Sequence, residues 1–248
     1  MAYIRFDQVS LRYPMMDVQA SHLRNQIANW LSFGATRKRA GTVWQVDALK
    51  GVSFEICQGD RVGLIGANGA GKSTLLRTIA GIYTPQGGKV DVQGEAVSLM
   101  FDIDAGTAPE LTGRENVLTL GMTMGFSAAD CRAITRQVET FSELGEFFDM
   151  PMEAYSSGMR MRLSFSLATA MIPDILLLDE WFSTGDAAFQ RKCVARLETM
   201  LNKSAITVFA SHDHGLLRRC CTRFFLLESG SVRELPENEF DRLMTEGV

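Results

Sequence analysis

Gly66-Ala67-Asn68-Gly69-Ala70-Gly71-Lys72-Ser73-Thr74 decides the fold because of what stands on either side of it. Before it runs Arg61-Val62-Gly63-Leu64-Ile65, apolar on both faces like a strand buried inside a sheet. After it, Ser73 to Ala80 reads as a helix. The pattern G-x-x-x-x-G-K-[ST] between a buried strand and a helix is a phosphate-binding loop. Its glycines let backbone N–H groups converge on phosphate oxygens with no Cβ in the way. The helix start adds about half a positive charge. Gly66, Asn68, Gly69, Ala70 and Gly71 line this cradle, and Lys72 reaches the β- and γ-phosphates. The Ser73 hydroxyl is placed to ligate Mg²⁺, and Thr74 to support the α-phosphate.

Working outward, Ile175-Leu176-Leu177-Leu178 and Ala205-Ile206-Thr207-Val208-Phe209-Ala210 read as further buried strands, and Phe224-Phe225-Leu226-Leu227 as a later one. Phe6 to Leu11 and Val52 to Ile56 alternate like strands with one exposed face. A helix from about Asp186 to Lys203 separates two buried strands, and this strand–helix–strand order predicts a mainly parallel sheet. The fold class is α/β, a P-loop NTPase core. The helices between about Thr112 and Ile172 come without strands and predict a helical subdomain over about 107–170. Thr112-Gly113-Arg114-Glu115 fits a capping box, and Ser127-Ala128-Ala129-Asp130 resembles one.

Two strand ends carry further chemistry. Asp179 closes an apolar run and is placed to hold Mg²⁺ through water. Glu180, next in line, is placed to polarise the water that attacks the γ-phosphate, provided burial or a partner positions it. His212 follows the strand that ends at Ala210, at the sheet edge where open α/β folds bind ligands. From there it reaches both the γ-phosphate and the water. His22 and His214 carry no such role.

The chain has 248 residues, enough for one sizeable α/β core with a small subdomain. Its net charge of −4 argues against nucleic-acid binding through bulk positive charge. Five cysteines without C-x-x-C spacing read as reduced, mostly buried thiols. The opening stretch Met1 to Ser10 lacks the apolar core of a signal peptide, and no apolar run approaches the ~18 residues that span a bilayer.

Tyr155-Ser156-Ser157-Gly158-Met159 stands about twenty residues before Leu176-Leu177-Leu178-Asp179-Glu180. It resembles the LSGGQ signature of ABC-type ATPases, with Ser156 and Gly158 retained and Leu163, Leu167 and Met171 marking the helix that follows. A serine-headed helix aims open N–H groups at a phosphate. The resemblance covers nearly the whole chain and implies a RecA-like ABC ATPase fold that binds ATP with Mg²⁺. It implies a head-to-tail homodimer in which Ser156, Ser157 and Gly158 of one subunit meet the γ-phosphate held by the other. Ser183 to Asp186 then falls at the D-loop, and Tyr13, rather than Trp44, at the aromatic that stacks on adenine. The whole chain, 1–248, is one nucleotide-binding domain on this reading.

Pro109 to Val117, Tyr155 to Met159 and Asp179 to Cys193 resemble ATPases that power export of bacterial O-antigen, capsule and teichoic acids. The implied partners are an integral membrane permease and a lipid-linked polysaccharide as cargo, with no nucleic acid. The implied location is peripheral, on the cytoplasmic face of the inner membrane. Two departures stand out. The Q-loop glutamine is replaced in Leu99-Met100-Phe101-Asp102-Ile103-Asp104, leaving Asp102 or Asp104 for the metal-sensing role, or solvated. Trp181 occupies a position where relatives carry a small aliphatic residue. The chain ends about twenty residues past the Phe224 strand, so a carbohydrate-binding domain and selection by a modified chain end are not expected.

An insertion over about 15–46 places Ala20, Leu23, Ile27, Trp30 and Leu31 on one helical face, followed by Arg37-Lys38-Arg39. It suits lipid headgroups or a membrane partner, or else a helix packed on its own domain with a solvated basic loop. Two rival functions remain: a soluble ABC ATPase acting on DNA or ribosomes, and a non-hydrolysing regulatory subunit. The first is disfavoured by the single ATPase domain and negative charge, the second by Glu180 and His212.

Overall fold

Residues 1–15, 37–40, 43–94, 96–100, 106–179 and 187–246 are described by a computed structural model. In chain order the elements are β1 (Tyr3–Met15), β2 (Arg37–Ala40), β3 (Val43–Cys57), β4 (Arg61–Ile65), α1 (Lys72–Ile79), β5 (Gly87–Gln93) and β6 (Val97–Met100). Then come α2 (Gly113–Thr123), α3 (Ala128–Ser142), two 3₁₀ turns (Gly145–Asp149 and Met152–Ala154) and α4 (Ser157–Ala168). The rest are β7 (Ile175–Asp179), α5 (Ala187–Lys203), β8 (Ile206–Ala210), α6 (His214–Cys220), β9 (Arg223–Glu228), β10 (Ser231–Leu235) and α7 (Glu237–Glu246). They fall into two units: Met1–Leu99 with Pro173–Trp181 and Ser204–Val248, and Met100–Ile172 with Phe182–Lys203.

The first unit holds a six-stranded sheet in the order β10-β9-β4-β8-β7-β6. Strands β9, β4, β8 and β7 run parallel, and β10 is antiparallel to β9. These parallel strands are apolar on both faces because both faces are covered. On one face Val62, Leu64, Ile175, Leu177, Ile206, Val208, Phe225 and Leu227 form one buried cluster with Leu75, Leu76 and Ile79 of α1. The same cluster takes Ile4, Phe6, Val9 and Leu11 of β1 and Leu49, Val52 and Ile56 of β3. Each such side chain contributes about 1.5–3 kcal/mol on full burial. On the other face Phe224 stacks on Phe240 of α7 with ring centroids 3.8 Å apart.

The strands β2, β3, β1 and β5 make a second, antiparallel sheet in that order. Only parts of it were legible as strands. Register shifts interrupt β1 between Phe6 and Arg12, where Gln8 takes φ 50, and break the alternation. The basic run Arg37-Lys38-Arg39 is not a loop: it forms β2, with Arg37 opposite Val46 and Arg39 opposite Trp44. The amphipathic segment before it lies outside the described residues.

In the second unit the α2 capping box is complete: the Thr112 hydroxyl accepts from the Glu115 amide and the Glu115 carboxylate accepts from the Thr112 amide. Val117, Val138, Leu144, Phe148, Met152, Tyr155 and Leu163 form its core. Buried Asn116 donates to the carbonyls of Ala108, Leu111 and Thr112 and accepts from the Ala108 amide, which satisfies the backbone of that loop. Glu143 receives both Lys192 of α5 at 2.6 Å and Arg162 of α4 at 3.2 Å. The expected signature helix stops early: Thr169 turns its hydroxyl back onto the Phe165 carbonyl, and Met171 lies exposed beyond the end. Cys131, Cys193 and Cys221 are buried.

Candidate functional site

Parallel register brings three strand ends to one level. Leu64 of β4 pairs with Ala210 of β8, and Ala210 pairs with Asp179 of β7. Neighbouring strands lie about 4.8 Å apart, so β4 and β7 end roughly 10 Å from one another. The Gly66–Thr74 loop leaves β4, Ser211-His212-Asp213 leaves β8, and Asp179 ends β7. Three segments distant in sequence therefore share the carboxyl edge of the sheet.

The loop itself is set by close backbone approach. Gly66 has φ 147, and a Cβ there would sit 2.3 Å from the Leu227 carbonyl oxygen. Gly71, at the start of the eight-residue α1, takes φ 112 and no side chain caps the helix there. The first amides of α1 thus have no side-chain acceptor at the N-cap, as an anion site requires. Lys72 is only 7 % exposed, and its Nζ donates to the Gly66 carbonyl at 2.5 Å and the Ala67 carbonyl at 3.2 Å. The ammonium is thus folded over the loop it belongs to. Asn68 and Gly69 are exposed, Ala70 is buried, and Ser73 is half-buried.

Tyr13, on β1, donates a hydrogen bond to the Thr74 hydroxyl at 3.1 Å. Its ring meets Tyr83 edge-on, centroids 5.3 Å apart, and Arg77 donates to the Tyr83 hydroxyl at 3.4 Å. Burial pushes the Tyr13 phenol up to about 12, so it stays a neutral donor at physiological pH. Trp44 lies on β3 opposite Met15. Asp179 is half-buried and His212 exposed. Ser211 accepts from the Asp213 amide, and Asp213 caps α6 by accepting from the Leu216 amide, which fixes the turn that carries His212.

In the second unit Ser156 caps α4, its hydroxyl accepting from the Met159 amide at 3.2 Å. Ser156, Ser157 and Gly158 are all exposed, and a Cβ on Gly158 would meet only the Ser156 hydroxyl, at 3.9 Å. Below them Tyr155 is buried and donates to the Phe147 carbonyl at 2.7 Å. The helix head is thus firmly seated and open. Asp102, Asp104, Glu180, Trp181 and Ser183 to Asp186 lie outside the described residues.

The cradle fits a polyphosphate: backbone too close for any Cβ, a buried cation and an uncapped helix start. The residues expected from the sequence to meet a divalent cation and described here are Ser73 and Asp179, both half-buried. No group of three or more His, Cys, Asp or Glu comes together among the described residues. One hydroxyl and one carboxylate suit a cation whose other ligands are phosphate oxygens and water, as Mg²⁺ prefers.

The ABC transporter family matches residues 49–183, a span that holds the phosphate loop, the Ser156 helix and Asp179. The chain belongs to the ABC transporter family. As an ABC ATPase it binds and hydrolyses nucleotide. It is 45% identical to the O-antigen export system ATP-binding protein RfbE of Yersinia enterocolitica, over 94% of this chain and 98% of that one. It is 35% identical to the teichoic acids export ATP-binding protein TagH of Bacillus cereus, of which it spans 40%. The dimeric post-hydrolysis structure of the ATP-binding cassette MJ0796 bound to ADP and Pi superposes with TM-score 0.67 at 22% identity, over 94% of this chain and 97% of that one. That likeness fixes the ABC fold.

Three features of the ABC site were missed by reading the sequence: Tyr83 behind Tyr13, the Ala48 carbonyl behind Gly71, and the β9–β10 hairpin behind the whole loop. Only the last left a signal, the turn dipeptide Ser229-Gly230 after an apolar strand.

Proposed function

We propose that this chain is the ATP-hydrolysing subunit of an exporter of lipid-linked surface polysaccharide. It acts as a homodimer on the cytoplasmic face of the inner membrane, beneath a separate membrane permease. The observation that carries the reading is the 45% identity to an O-antigen export protein along nearly the full length of both chains. Residues 1–248 serve as one nucleotide-binding domain, with a helical subdomain over about 107–170.

Lys72 and the amides of Gly69 to Thr74 hold the β- and γ-phosphates of ATP, and Tyr13 stacks on the adenine. Ser73 and Asp179, with Asp102 or Asp104, hold Mg²⁺, which when bound neutralises charge on the phosphates. Glu180 orients the attacking water, and His212 contacts that water and the γ-phosphate. The Ser156–Gly158 end of the partner subunit's α4 supplies the remaining amides. Ser156, Ser157 and Gly158 are all exposed, which suits a site completed by a second copy. Catalysis is then positioning and charge stabilisation.

Replacing Glu180 with Gln separates binding from turnover. The expected result is tight ATP binding, hydrolysis reduced roughly a hundredfold or more, and an ATP-dependent dimer on size-exclusion chromatography. Turnover at the unmodified rate overturns the mechanism.

A further inference from the structure

We infer that Gly230, in the turn between β9 and β10, is a positioning residue for phosphate binding. The Gly230 amide donates to the carbonyl of Ala70, inside the phosphate loop, at 3.3 Å. The Lys50 amide in turn donates to the Gly230 carbonyl at 2.9 Å, which anchors the turn to β3. The Ala48 carbonyl oxygen is wedged between two glycines: a Cβ on Gly71 or on Gly230 would come within 2.9 Å of it. Further along the same hairpin, the Leu227 carbonyl oxygen closes on Gly66. The loop is therefore backed by carbonyls of Leu227 and Ala48 and tied at Ala70 by one amide.

A trans peptide is planar, and its C=O and N–H point in opposite directions. Drawing the Ala70 carbonyl toward the hairpin therefore turns the Gly71 N–H away from it, toward the side where the loop meets its anion. Gly230 acts through Ala70 and touches no substrate. Only glycine suits the position: φ is 86, and a side chain would press on the Ala48 and Asp47 carbonyls. The neighbouring Ser229 also takes a positive φ, 49, but it is exposed where Gly230 is buried.

The inference rests on reading Gly66–Thr74 as the phosphate cradle. The test is calorimetric titration of the purified full chain with Mg²⁺ and ADP, alongside amide NMR of the same protein. Gly230→Ala is expected to weaken ADP binding roughly tenfold or more, while Ser229→Gly stays within about twofold of the parent. In the parent, ADP is expected to shift the Gly230 amide resonance and slow its hydrogen exchange, a readout that does not depend on the variant folding. An unmoved Gly230 amide, or equal losses in Ser229→Gly and Gly230→Ala, overturns the brace. Lys72→Met distinguishes the two ideas. If it abolishes ADP binding while Gly230→Ala binds normally, only the brace fails. If Lys72→Met binds like the parent, the cradle reading fails.

Discussion

Cys221 is 6 % exposed, and burial pushes its thiol from an ordinary 9 up to about 12. The folded state therefore holds the neutral thiol, while the unfolded chain ionises from pH 9 upward. The sign follows: this contribution to stability is complete below pH 9 and is lost as pH rises toward 12. The loss by pH 11 is on the order of 2 kcal/mol. Tyr13 acts in the same direction between 10 and 12, more weakly because it is only half-buried. Cys221→Ala is expected to lower the urea midpoint at pH 8 through lost packing and to flatten its fall between pH 9 and 11. An equally steep fall in the variant would show that other groups govern alkaline unfolding.

At the scale of single elements, α4 carries two requirements on one residue. Ser156 caps the helix and, in the proposed mechanism, faces a phosphate. Aspartate caps as well as serine and suits the helix dipole, but it brings a negative charge. Ser156→Asp is therefore expected to leave the melting temperature within about 2 °C of the parent. The same variant in the Glu180→Gln background is expected to lose ATP-dependent dimerisation. A dimer that persists would remove Ser156 from the phosphate's neighbourhood. Elements such as β4, β7, β8 and β9 were legible because both faces are buried and their apolar runs are unbroken. β5 and β10 were not, since Gly87 to Gln93 and Ser231 to Leu235 mix polar with apolar residues and are mostly half-buried or exposed. The phosphate loop was legible because its chemistry resides in glycine spacing and one lysine. Its bracing was not, because backbone carbonyls at Ala48 and Leu227 leave no mark on residue identity.

At the scale of the whole molecule, no helix among the described residues is long and apolar enough to cross a membrane. The strand β2 is an edge of its sheet and carries Arg37, Lys38 and Arg39 in a row. Consecutive basic residues on an edge discourage pairing with another strand and attract anionic surfaces. Replacing all three with Gln is expected to leave ATP affinity unchanged and to weaken co-sedimentation with anionic vesicles or with permease-containing membranes, along with polymer export. Undiminished export and sedimentation would assign β2 a purely structural role.

The register that aligns Leu64, Ala210 and Asp179 has a consequence for biogenesis. A nascent chain acquires the glycine motif early, yet the level edge around it exists only after the two later strands have docked. Nucleotide added to a refolding mixture would then be retained by finished molecules alone, and in pulling the equilibrium toward them it would double as a gauge of completed assembly.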